Sequence, residues 1–90
     1  MISMDENKEE TRENLIKETK KWLERIKTKR EAIILRDSMR TDFVENIDAY
    51  ISDSEFFLEN QEVIEAFEAV IWAWAYMEIG KDLKIIEQKN

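Results

Sequence analysis

Apolar residues recur along this chain at three- and four-residue intervals, the spacing that lines one side of an α-helix. The first such run is Leu15, Thr19, Trp22, Leu23 and Ile26, with Lys and Arg crowding its end, as a helix C-terminus favours. Ser3-x-x-Glu6 matches a capping box, so a first helix is predicted over about residues 5–28, stopping between Ile26 and Arg30. Ile33, Ile34 and Leu35 follow in a row, which fits neither a helical period nor a polar loop, and the structure of residues 29–40 stays open.

Phe43, Val44, Ile47, Tyr50, Ile51, Ser54, Phe57 and Leu58 form the clearest stripe, with Glu45, Asp48, Ser52, Glu55 and Glu59 on the opposite side. They predict a second helix over about residues 38–59. The period breaks near Asn60, a residue suited to a left-handed cap or to capping the next helix. A third helix is predicted over about residues 61–80, with Leu83, Ile85 and Ile86 leaving an extension to 86 open. Three helices with short links return the chain antiparallel each time, so the expected fold is all-α, an up-down-up three-helix bundle.

Composition sharpens this picture. One glycine and no proline in 90 residues leave little turn punctuation for a β-rich fold. A chain of this length has room for one core, so a single domain over 1–90 is expected. With 43% apolar and 39% charged residues, it has material for both a core and a solvated surface. Without cysteine or histidine it lacks thiolate nucleophiles, disulfides, His-dependent triads and Cys- or His-ligated zinc. The longest apolar run, Ala69 to Met77, is far short of the roughly 20 residues a membrane-crossing helix needs. Acids where a secretory leader would be basic and apolar point to the cytoplasm.

Charge is unevenly spread: residues 1–40 carry eleven basic and nine acidic side chains, residues 41–90 three and twelve. No Lys or Arg occurs from Thr41 to Gly80, and such a half-molecule repels phosphate backbones, so nucleic acid is not an expected partner. The basic stretch Lys17 to Arg30 reads best as a complement to the acidic helices beside it and to its own helix terminus, with a strip for RNA or an acidic partner as the competing reading.

Two sets of residues carry a family likeness. Tyr50, Ile51, Asp53, Ser54, Phe57 and Ala66 form one motif; Trp72, Ala73, Ala75, Tyr76, Met77, Glu78 and Gly80 form the other. Together, from Tyr50 to Leu83, they resemble an archaeal family of small helical proteins, the domain-of-unknown-function family 357. Ile51 stands where that family has a second aromatic, Gln61 where it turns on glycine and Glu78 where it usually has Asp. The resemblance implies a helical bundle and an archaeal origin, and it brings no activity or catalytic residue. Asp53 and Glu78 remain polar motif positions of unknown role, and Asp53, on the flank of its stripe, suits a contact with a tyrosine or with a basic residue of the first helix.

For chemistry, Glu62, Glu65 and Glu68 at three-residue spacing, with Glu45 and Asp48 on the neighbouring helix, would suit magnesium in a carboxylate-dependent hydrolase of a small phosphorylated substrate. Those three glutamates drift around the helix rather than converging, so no metal site, cofactor or catalytic residue is assigned and that enzyme stands as the alternative. The leading expectation is a small acidic interaction module without catalysis of its own, which pairs with itself as a homodimer or with another protein. On the third helix Trp72 and Trp74 project about 200° apart. Ala66, Ala69, Ala73, Tyr76, Met77 and Gly80 suit close helix approach, with Trp72 at their edge. Phe67, Ile71 and Trp74, bounded by Glu78, form a second stripe that is either buried within the monomer or exposed as a partner-binding patch.

Overall fold

The computed structural model describes residues 4–89, with side-chain surroundings from Lys8 onward. Three helices, α1 (Met4–Glu31), α2 (Asp42–Glu59) and α3 (Val63–Asp82), form the bundle, and two short strands, β1 (Ile33–Leu35) and β2 (Ile86–Gln88), close one end. Contacts fix the directions. Arg12 of α1 donates to the Gln61 carbonyl at 2.9 Å beside the α2–α3 turn, while Arg30 near the other end of α1 reaches Asp48. α1 and α3 therefore run together, with α2 antiparallel to both, which is the up-down-up arrangement. The Ser3–Glu6 capping box falls outside the described residues.

Each helix buries the side that its period marks. Thr19, Leu23 and Ile26 of α1, Phe43, Ile47, Ile51 and Ser54 of α2, and Val63, Ala66, Ala69, Val70, Ala73, Met77 and Gly80 of α3 are buried. Ile26, Ile47, Val70 and Met77 are completely enclosed, and each such side chain contributes about 1.5–3 kcal/mol of transfer free energy. The two buried hydroxyls are satisfied: Thr19 Oγ1 donates to the Leu15 carbonyl at 2.7 Å and Ser54 Oγ to the Ala66 carbonyl of the facing helix at 2.7 Å.

Alanines and a glycine on α3 let α2 come close. A Cβ on Gly80 would lie 3.0 Å from Ile86 and 3.1 Å from Phe43, so this glycine makes room for the C-terminal strand rather than ending the helix. The basic stretch of α1 pairs inward: Lys27 Nζ lies 3.1 Å from Glu55, and Arg30 grips Asp48 through two bonds of 2.6 and 3.0 Å. The hydrogen bond to Asp48 raises the Arg30 pKa.

Element boundaries differ from the sequence reading in three places. α1 continues to Glu31, and the open segment that follows is strand: Ile33, Ile34 and Leu35 pair antiparallel with Gln88, Glu87 and Ile86. α3 does not extend to 86. It stops at Asp82, Leu83 is exposed, and Ile85 and Ile86 turn back into the core. α2 begins at Asp42 rather than 38, because a turn precedes it: the Asp37 carboxylate accepts the Met39 N–H at 3.0 Å and its carbonyl the Arg40 N–H at 2.9 Å.

The helix stops share one geometry. After α2, Glu62 N–H bonds the Phe57 carbonyl and Gln61 N–H that of Leu58; after α3, Ile85 N–H bonds Gly80 and Lys84 N–H bonds Lys81. The left-handed residue of each is Gln61 and Lys84, both at φ 61°, so the left-handed position falls one residue after Asn60, which itself sits at φ −94°.

Candidate interaction surfaces

α3 is apolar on more sides than the bundle covers. Beyond its buried side it carries one stripe on the flank shared with α1 and another on the flank shared with α2.

On the α1 flank, Trp22, Phe67, Val70, Ile71 and Trp74 line a hollow of about 370 Å³. Trp74 packs edge-on against Trp22 with ring centroids 5.5 Å apart, and its indole N–H donates to the Trp22 carbonyl at 3.2 Å. Trp74 and Phe67 are thereby half-buried, while Ile71 is 48% exposed between them. The three predicted patch residues thus share one hollow, divided between the two expected outcomes: α1 covers the aromatics and leaves the isoleucine open. Toward the top of the bundle, Leu15 and Ile64 line a neighbouring hollow with Lys8, Thr11 and Arg12.

The α1 rim of this face is basic. The Arg25 guanidinium lies 5.0 Å from the Trp22 ring and the Lys29 ammonium 6.0 Å from the Trp74 ring. Glu18 accepts from Lys21 at 3.0 Å and from the Trp22 indole at 3.2 Å. The hydrogen bond from Lys21 holds the Glu18 carboxyl below its ordinary pKa, so the group is ionised at neutral pH.

On the α2 flank, Trp72 is 55% exposed and stacks on Tyr50 at 6.3 Å, and Tyr50 stacks on Tyr76 at 5.7 Å. Ile79 and Leu83 continue the stripe, 49% and 60% exposed. Trp72 borders the small-residue side of α3, beside buried Ala69 and Ala73. α1 covers the other tryptophan, and Trp72, about 200° away around α3, is left to solvent. Tyr50 of the first sequence motif meets Trp72 and Tyr76 of the second on this flank, while their small residues, Ser54, Ala66, Ala73 and Gly80, form the α2–α3 contact.

Asp53 and Glu78 are not brought together. Asp53 is exposed beside the Tyr50 cluster and, among the described residues, has neither a tyrosine nor a basic partner. Glu78, on the other flank of α3, forms a surface pair with Lys81 at 3.2 Å. Glu62, Glu65 and Glu68 are all exposed, and no group of three or more acidic side chains among the described residues could hold a metal ion. Among the same residues no helix is long and apolar enough to cross a membrane.

The α2-flank stripe and its aromatic stack escaped the sequence reading. The signal that could have found them was the spacing of Trp72, Tyr76, Ile79 and Leu83 at i, i+4, i+7 and i+11.

No curated protein matches this chain. A protein from Archaeoglobus fulgidus with a known crystal structure, itself assigned to DUF357, is 43% identical and superposes with a TM-score of 0.81, over 88% of this chain and 99% of that one. The model of that family, described as a protein of unknown function, matches residues 14–86, which takes in most of α1, all of α2 and α3 and the start of β2. On both counts, this chain belongs to the DUF357 family.

Proposed function

We propose that this protein is a cytoplasmic interaction module without catalysis of its own, which self-associates through the flank that α1 and α3 share. The observation that carries the reading is Ile71, half exposed at the centre of a hollow walled by Trp22, Phe67 and Trp74. Contiguous apolar surface is costly to leave wet, and aromatic side chains concentrate in protein interfaces. An apolar hollow lined by a half-exposed isoleucine also suits a two-fold pairing, in which the same patch serves both copies.

Light scattering after size exclusion tests the proposal on the wild type and on Ile71→Glu. The wild type should elute as a dimer at high micromolar concentration and Ile71→Glu as a folded monomer with an unchanged circular-dichroism spectrum. A monomeric wild type removes self-association. An Ile71→Glu chain that unfolds would assign the stripe to the core instead.

A further inference from the structure

We infer that the opposite side of the α2/α3 hairpin, the face of Tyr50, Trp72, Tyr76, Ile79 and Leu83, receives a Lys/Arg-bearing amphipathic helix of a partner protein. The hairpin has two broad sides. One already holds such a helix: α1 buries Thr19, Leu23 and Ile26 against it and anchors its cations on the hairpin's acids, Lys27 on Glu55 and Arg30 on Asp48. The other side repeats this chemistry with no helix seated on it among the described residues. Its centre is apolar and open, with Trp72, Ile79 and Leu83 each about half exposed or more, over about three turns from Trp72 to the residue that follows α3. Its rim around Trp72 is acidic, with Asp53 on α2 and Glu65 and Glu68 on α3 all exposed, while Arg40, which lies over the Phe43 ring beside Tyr76 toward the other end of this side, is paired with Asp42.

An apolar stripe between acidic rims selects a helix with an apolar seam flanked by cations, and the exposed Trp72 ring adds a surface that cations favour. A second copy of this face is a poor occupant, because the two acidic rims would meet and repel. Filling the side would complete a four-helix arrangement around the hairpin.

The test uses the full chain and two fluorescently labelled synthetic helical peptides, one of leucine and lysine with apolar residues at three- and four-residue spacing, the other with glutamate for lysine. Anisotropy should show binding of the leucine–lysine peptide and not of the leucine–glutamate peptide. The neutral pair Trp72→Ala with Ile79→Ala should weaken binding at least about tenfold, equivalent to about 1.4 kcal/mol. The rim pair Asp53→Lys with Glu65→Lys should do the same. The charge-matched pair Glu45→Lys with Glu59→Lys, on other sides of α2, should stay within about twofold of the wild type. Circular dichroism checks that each variant is folded. Equal loss in both lysine pairs would mean that only net charge is sensed, and unchanged binding in the neutral pair would mean that the aromatic face is not the site; either overturns the inference. It is also overturned if the neutral pair abolishes self-association of the chain itself, which would make this face a homotypic interface. Ile71→Glu should leave peptide binding intact, which separates this site from the α1 flank.

Discussion

At the residue scale, the stability of the bundle rests on small side chains as much as on large ones. Gly80 shows why. Alanine in a helix interior is normally better than glycine by about 0.8–1 kcal/mol. Here its Cβ would press on Ile86 and on the Phe43 ring, and overpacking a filled core costs about 1–3 kcal/mol. Gly80→Ala should therefore lower the melting temperature; a rise would mean that Ile86 can move aside freely. On α2, Ile47 is fully enclosed, so Ile47→Ala should cost about 2–5 kcal/mol in chemical denaturation. Phe57 reads as an equal member of the same stripe in the sequence, yet it is half-buried and lies outside the core cluster. Phe57→Ala should cost less than about 2 kcal/mol, and equal costs at the two sites would contradict this placement. Periodicity ranks positions by angle around one helix; how deep each sits depends on which neighbour covers that angle.

At the element scale, the three helices were legible because each repeats its period over many turns, whereas the two strands were not. A three-residue strand has no period to detect, and β1 and β2 are 51 positions apart in sequence at the pair Leu35 and Ile86 that sits nearest the turn into β2. The stop of α2 was legible from the break in period near Asn60, but the left-handed residues after α2 and α3 were not, because they are Gln61 and Lys84 rather than the glycine or asparagine that usually signals such a cap. A left-handed non-glycine residue costs about 1–2 kcal/mol, while glycine gives back about 0.4–1 kcal/mol through the unfolded chain. Gln61→Gly should thus stabilise the protein by up to about 1 kcal/mol, and Gln61→Val should destabilise it. Thermal melts of the two variants check the sign, and a stabilising valine would be inconsistent with the left-handed turn. The glycine that the family pattern places at this turn fits the same geometry.

At the scale of the whole molecule, α3 is the element that carries both proposed interaction surfaces. Its small residues face α2, one flank is partly covered by α1, and the other is open. That Trp72 and Trp74 cannot share a side follows from the helical repeat alone. Which of them stays open does not, because that depends on where α1 lies, and only the packing of Trp22 on Trp74 decides it. The protein carries three tryptophans, one on α1 and two on α3, and together they report on both faces. The most direct test of self-association through the α1 flank is therefore a dilution series of the isotopically labelled wild type followed by nuclear magnetic resonance. The indole signals of Trp22 and Trp74 and the methyl signals of Ile71 should shift with concentration while the Trp72 indole stays in place. Signals that do not move across the series, or shifts confined to Trp72, would contradict it.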